Sequence, residues 1–175
     1  MNDESMRLGA PLQLWYDLVR EGEERVDTPL PEIIESYLVF MLQRHQGDSV
    51  LGGRTLALDW LGGLERVGRE RADAMRDVGD RCLLIAGLFP RLAERRNVQP
   101  NYYAALGQAA YGEVAVVTRT GYAELFAQLA CAFEGMLRVL RGLSTKPQWP
   151  AYVPLPAPVL TRDEELAAVI GGRVH

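Results

Sequence analysis

Gly79-Asp-Arg-Cys-Leu-Leu-Ile-Ala-Gly-Leu-Phe-Pro90 sets an unbroken apolar run, Cys82 to Phe89, directly behind a Gly-Asp-Arg triplet and closes it with a proline. The run is far short of the ~20 apolar residues needed to cross a bilayer. The residues before it have a different character: Glu65, Arg66, Arg69, Glu70, Asp73, Arg76, Asp77 and Arg81 alternate in sign. Opposite charges three or four apart, such as Glu65 with Arg69 and Asp77 with Arg81, stabilise a solvated helical face by about 0.2–0.5 kcal/mol per pair. A helix that is apolar on every side must instead be enclosed by protein. One helix, 66–88, therefore starts in solvent and ends in the core, with Leu83, Leu84, Ile85, Leu88 and Phe89 as the predicted centre. Pro90 lacks a backbone donor and disfavours helical geometry at Phe89, so the helix should break near 88–91.

Working outward, LQLWYDLVREGEE after Pro11 puts Leu12, Trp15, Leu18 and Val19 on one face of an amphipathic helix that ends near Glu24. Thr28 is placed to cap a second helix, 31–46, in which Ile33, Ile34, Tyr37, Leu38, Met41 and Leu42 form a stripe. Gly47, Asp48, Gly52 and Gly53 mark a loop, and a short helix around 56–61 should stop at Gly62-Gly63. Beyond the run, 100–117 is a thin helix: Tyr103, Gly107 and Tyr111 share a face, and alanines keep the rest narrow enough for close packing. Glycine there costs about 0.5–1 kcal/mol relative to alanine, a cost offset where a neighbour must approach. Residues 122–143 carry one continuous stripe, including Leu125, Phe126, Leu129, Phe133, Met136, Leu137 and Leu140, and are expected to form one long helix. KPQWPAYVPLPAP has five prolines and reads as an extended strap within 145–160; Thr161 and Glu164 then have capping-box spacing for a terminal helix over 161–172.

The fold expectation is an all-α single domain, 1–175, a bundle of five to seven helices with 31–46, 66–88, 100–117 and 122–143 as its principal members. A mixed α/β sheet is the alternative, suggested only by Val-Ala-Val-Val at 114–117. A chain of 175 residues, 48% apolar and 24% charged, can build one such core.

Composition bounds function. The net charge is −4, with ten acids against four bases in 1–50 (−6) and seven acids against nine bases in 51–96 (+2). An acidic protein with an isoelectric point near 5.3 lacks the basic footprint of a nucleic-acid binder, so no nucleic-acid partner is expected. Eighteen of the nineteen bases are arginine, with Lys146 the exception; that preference alone is not read as phosphate recognition. Cys82 and Cys131 sit in apolar surroundings without metal or redox spacing and are expected to be buried free thiols. No membrane span and no secretory leader are apparent, so a cytoplasmic location is expected.

The segments GDRCLLIAGLFP and NYYAALGQAAY together resemble a group of uncharacterised bacterial proteins with a Gly-Asp-x-x-Leu-x-x-x-Gly-x-Phe segment followed by Tyr-Tyr-x-x-x-Gly-x-x-Ala-Tyr. The matching residues are Gly79, Asp80, Leu83, Gly87 and Phe89, then Tyr102, Tyr103, Gly107, Ala110 and Tyr111. The resemblance covers roughly 65–115. It implies a bacterial source and, with no activity assigned to that group, supplies no catalytic residues.

Asp73, Asp77 and Asp80 share a helical face that would suit a divalent cation, but Arg69, Arg76 and Arg81 offer each carboxylate a salt partner instead, and no metal or cofactor is expected. Asp80 stands out because it adjoins the apolar run, where a carboxylate needs a partner or a shifted pKa; Tyr103 or Tyr111 could supply the hydrogen bond. His45, at the end of the second helix, is the only internal histidine, and Arg81 beside Cys82 does not by itself make an activated thiolate. With no catalytic set assembled, the leading expectation is a non-enzymatic interaction or regulatory protein with a protein partner, Trp149 and Tyr152 in the strap being candidate contacts. The alternative is a small-molecule binder or enzyme with a pocket near Asp80, Tyr103 and Tyr111. Small-residue faces on 100–117 and the stripe on 122–143 add the expectation of a homodimer.

Overall fold

In the computed structural model the described residues are 12–46, 55–90 and 99–144, and they form seven α-helices with no strand among them. These are α1 (Leu12–Val26), α2 (Glu32–Arg44), α3 (Leu56–Leu64), α4 (Gly68–Leu88), α5 (Pro100–Val117), α6 (Thr120–Cys131) and α7 (Phe133–Ser144). The strap, the terminal helix, Trp149 and Tyr152 lie outside the described residues.

The bundle is built around α4, which packs most extensively on α5 and also touches α3 and α7. A second layer forms where α1 packs on α2 and α7, and α6 closes the far side of α5. The predicted two-part character of α4 is present: its first turns are exposed, whereas every residue from Val78 to Leu88 is buried. Leu83, Leu84 and Ile85 are fully enclosed, among side chains that include Trp15, Leu38, Phe126, Phe133 and Leu140. The helix ends where expected, since Phe89 before Pro90 leaves helical geometry at φ −122°, ψ 52°.

Val114 to Val117 is the last turn of α5, so the segment that suggested a sheet is helical. The close approach expected at Gly107 is also present: a Cβ there would lie 2.8 Å from Cβ of Cys82 and overlap the Phe133 ring. Gly112 has open space around it and no such reason.

Four expectations are corrected. Thr28 does not cap α2; its hydroxyl donates to the Val26 carbonyl, and Pro31 is the N-cap residue. The corner is held instead by Glu23, whose carboxylate accepts from the Leu30 N–H at 2.8 Å. Ile33 does not join the buried stripe of α2 but faces solvent. The short helix α3 runs through Gly62-Gly63 to Leu64, because Gly63 sits under Met75 of α4 and tertiary contact overrides its weak propensity. Finally, the expected helix 122–143 is two helices that meet at Ala132 (φ −85°, ψ 2°). No glycine or proline lies at the bend; the Gln108 amide of α5 donates to the Ala130 carbonyl at 3.0 Å, and a side chain bonding into the helical ladder is a recognised source of kinks.

Candidate functional site

Asp73, Asp77 and Asp80 sit at i, i+4 and i+7 of α4, yet they meet three environments as the helix sinks into the bundle. Asp73 lies 3.8 Å from Arg69 and 3.7 Å from Arg76 on the surface, and Asp77 accepts from Arg81 Nε at 2.8 Å. Asp80 is 1% exposed.

Four side chains from two other helices converge on the Asp80 carboxylate. Oδ1 accepts from the Tyr37 hydroxyl at 2.7 Å and from the Tyr111 hydroxyl at 2.8 Å. Oδ2 accepts from the Arg44 guanidinium, and Nε2 of His45 lies 3.3 Å from it. His45 is aimed by the end of α2, where it is the C-cap residue and its own N–H donates to the Met41 carbonyl. Tyr111 reaches Asp80 because Gly79 has no side chain: a Cβ there would overlap the Tyr111 ring. The phenol rings are held edge-on, Tyr37 to Tyr111 at 5.9 Å and Tyr111 to Phe126 and Phe133 at 5.5 and 5.6 Å.

The electrostatics are those of a compensated buried anion. Burial pushes the Asp80 pKa up, but the hydrogen bond from His45, the Arg44 charge and the Tyr37 donor outweigh it, leaving the carboxyl below its ordinary value. Burial is also the main cause that lifts both phenols, Tyr37 and Tyr111, well above theirs, and the adjacent Asp80 charge adds to it. Burial opposes the charge on Arg44, yet Asp80 and Tyr37 hold its pKa raised. Near neutral pH the centre is thus an aspartate–arginine pair bordered by two neutral phenols.

A carboxylate offers about four lone-pair sites, and four donors surround this one. The chemistry available to it is that of a polar pin joining α2, α4 and α5. The expected partnership between Asp80 and Tyr111 is present. Tyr103 is buried two turns earlier on α5, edge-on to Tyr102 at 5.4 Å, and is not among the side chains that meet the carboxylate. Tyr37, Arg44 and His45 were not linked to Asp80 by the sequence; they lie 43, 36 and 35 positions away, and only the reversal of the chain after α2 brings them there.

Cys82 is buried and burial alone pushes its thiol far up, so it is not an activated nucleophile. Cys131, expected to be buried, is exposed as the last residue of α6. No helix among the described residues is long and apolar enough to cross a membrane, and no group of three or more His, Cys, Asp or Glu among them is arranged to hold a metal ion. Compared with protein-family models, with curated proteins and with solved structures, the chain matches none.

Proposed function

We propose that the protein is a non-enzymatic interaction domain that offers the outer face of α2 to a partner helix. The observation that carries this reading is the exposure of Ile33 (49%) and Phe40 (53%), seven residues apart and so on the same side of α2. Single exposed apolar residues are ordinary, but two aligned on one helix make an apolar strip of the kind an amphipathic helix covers. Behind it the helix is rigidly seated, with Ile34, Leu38, Val39, Met41 and Leu42 in the core and Tyr37 and Arg44 fixed on Asp80. The groups best suited to chemistry, Asp80, Tyr111 and Cys82, are enclosed by their own neighbours, which favours binding over catalysis. The same saturation weighs against a ligand at Asp80, Tyr103 and Tyr111.

The test replaces Phe40 with a photo-crosslinking phenylalanine analogue in the producing cell, with Arg69 as the control position. A discrete adduct that forms from position 40 and disappears with Ile33→Glu supports the reading; one at twice 19.5 kDa identifies a second copy of the chain as the partner. No adduct, or one indifferent to Ile33→Glu and equally strong from position 69, overturns it.

A further inference from the structure

A cleft of about 550 Å³ opens where the start of α4, the end of α5 and the start of α6 come together. It is lined by Arg69, Arg76 and Arg119 with Asp73 as the one acid, a local charge of +2 (three arginines less one aspartate) on a protein whose net charge is −4. Its apolar wall is Ala72, Val117 and the ring of Tyr122. The volume falls within the roughly 300–1,000 Å³ usual for small-molecule sites.

Three features give the cleft a chemical preference. Arg76 is preset: its guanidinium donates to the Tyr122 hydroxyl at 3.2 Å and lies 3.7 Å from Asp73, so its position is fixed while other N–H groups remain for a ligand. Arg119 is exposed, and no hydrogen bond or ion pair joins its side chain to the other described residues. Both helices that begin at the cleft, α4 after Val67 and α6 after Arg119, lack a side-chain cap, so their first N–H groups are not satisfied by one. Planar guanidinium groups and helix N-termini both favour oxyanions, and a phosphate group, with more oxygens than a carboxylate, can meet more of these donors at once.

We propose that this cleft binds the phosphate group of a small phosphate monoester, with Arg69, Arg76 and Arg119 around the phosphate and the organic part against Ala72, Val117 and Tyr122. The abundance of arginine in the chain does not imply this; the gathering of three of them with two uncapped helix starts around one cavity does. The inference is independent of the α2 face, which contributes no residue to the lining of the cleft.

The test is isothermal titration of the full chain with inorganic phosphate, a sugar phosphate and a nucleoside monophosphate at low and high salt. Saturable binding of a monoester in the micromolar to millimolar range, weakened by salt, is expected. Arg119→Ala should weaken it about tenfold and Arg119→Glu should remove it. Since Arg119 is exposed, both variants should keep the melting temperature. Arg138→Ala, on the exposed side of α7, should leave binding unchanged. Inorganic phosphate binding as tightly as every ester would overturn the organic part of the assignment. No saturable binding, or binding indifferent to Arg119→Glu, would overturn the site.

Discussion

Asp80 shows what one buried charge demands of its surroundings. Asp80→Ala would take away the acceptor shared by two buried phenols, at about 1–3 kcal/mol for each donor left unsatisfied, whereas Arg44, 40% exposed, can turn to water; the total should be about 2–5 kcal/mol. Urea unfolding should show a loss of that size, against about 1.5–3 kcal/mol for Tyr111→Phe, which removes one hydrogen bond to a charged group. The pH dependence follows from the shifts. Because the folded Asp80 pKa lies below the unfolded value of about 3.9, its stabilisation is present above that pH and is lost as pH falls through the folded pKa. The phenols have the opposite sign: raised in the fold, they contribute fully below about pH 10 and lose that contribution as pH rises further. Asp80→Asn should therefore flatten the acid limb of a stability–pH curve, and Tyr111→Phe the alkaline limb. An unchanged acid limb in Asp80→Asn would show that the carboxylate is not compensated as described. The sequence made half of this centre legible. An aspartate at the mouth of an apolar run must find donors, and Tyr111 on a glycine-thinned helix was a candidate. Arg44 and His45 carried no such signal, since a helix-end arginine and histidine look the same whether they face solvent or a carboxylate from a distant helix.

For the helices, the reading from α4 outward succeeded where one element's own pattern decided the outcome, and failed where a neighbour did. The alternating charges and the apolar run of α4 predict their own burial. Ile85→Asp should leave the chain insoluble or loosely packed, because an unpaired carboxylate in that site costs several kcal/mol out of a total of about 5–15. Arg69→Asp should cost less than about 1 kcal/mol, since the Arg69 side chain is 94% exposed and its pair with Asp73 is solvated. Equal loss of melting temperature in the two variants would contradict the division of α4. By contrast, nothing in 122–143 announces a bend, and the Gln108 amide that bonds to the Ala130 carbonyl beside it comes from another helix. Gly62-Gly63 read as a stop because the Met75 side chain above it was invisible. Helix-to-helix fit has its own test in Gly79→Ala: the added methyl would collide with the Tyr111 ring, with an expected cost of about 1–3 kcal/mol in thermal unfolding.

Over the whole molecule, the surfaces that suggested a homodimer are used inside the chain. The thin side of α5 is covered by α4, and the stripe of α6 and α7 is covered by α5, α4 and α1. Ile33 and Phe40 on α2 are about half exposed, so Ile33→Glu together with Phe40→Glu should change unfolding free energy by only about 0.5 kcal/mol per site. A much larger loss would mean that this face is packed in the free protein and not held open for a partner. The buried residues of the seven helices belong to one hydrophobic cluster, so chemical denaturation should proceed in one transition by fluorescence and by circular dichroism alike.

The passage of α4 from solvent into the core also sets a gradient in time along a single helix. Amides in its first turns can exchange their hydrogens for deuterium through local fraying, whereas those of Leu83 to Leu88 are shielded on every side and should exchange only when the whole bundle opens. In deuterated buffer the same helix would thus hold both fast and slow amide clocks, with the division falling close to Asp80.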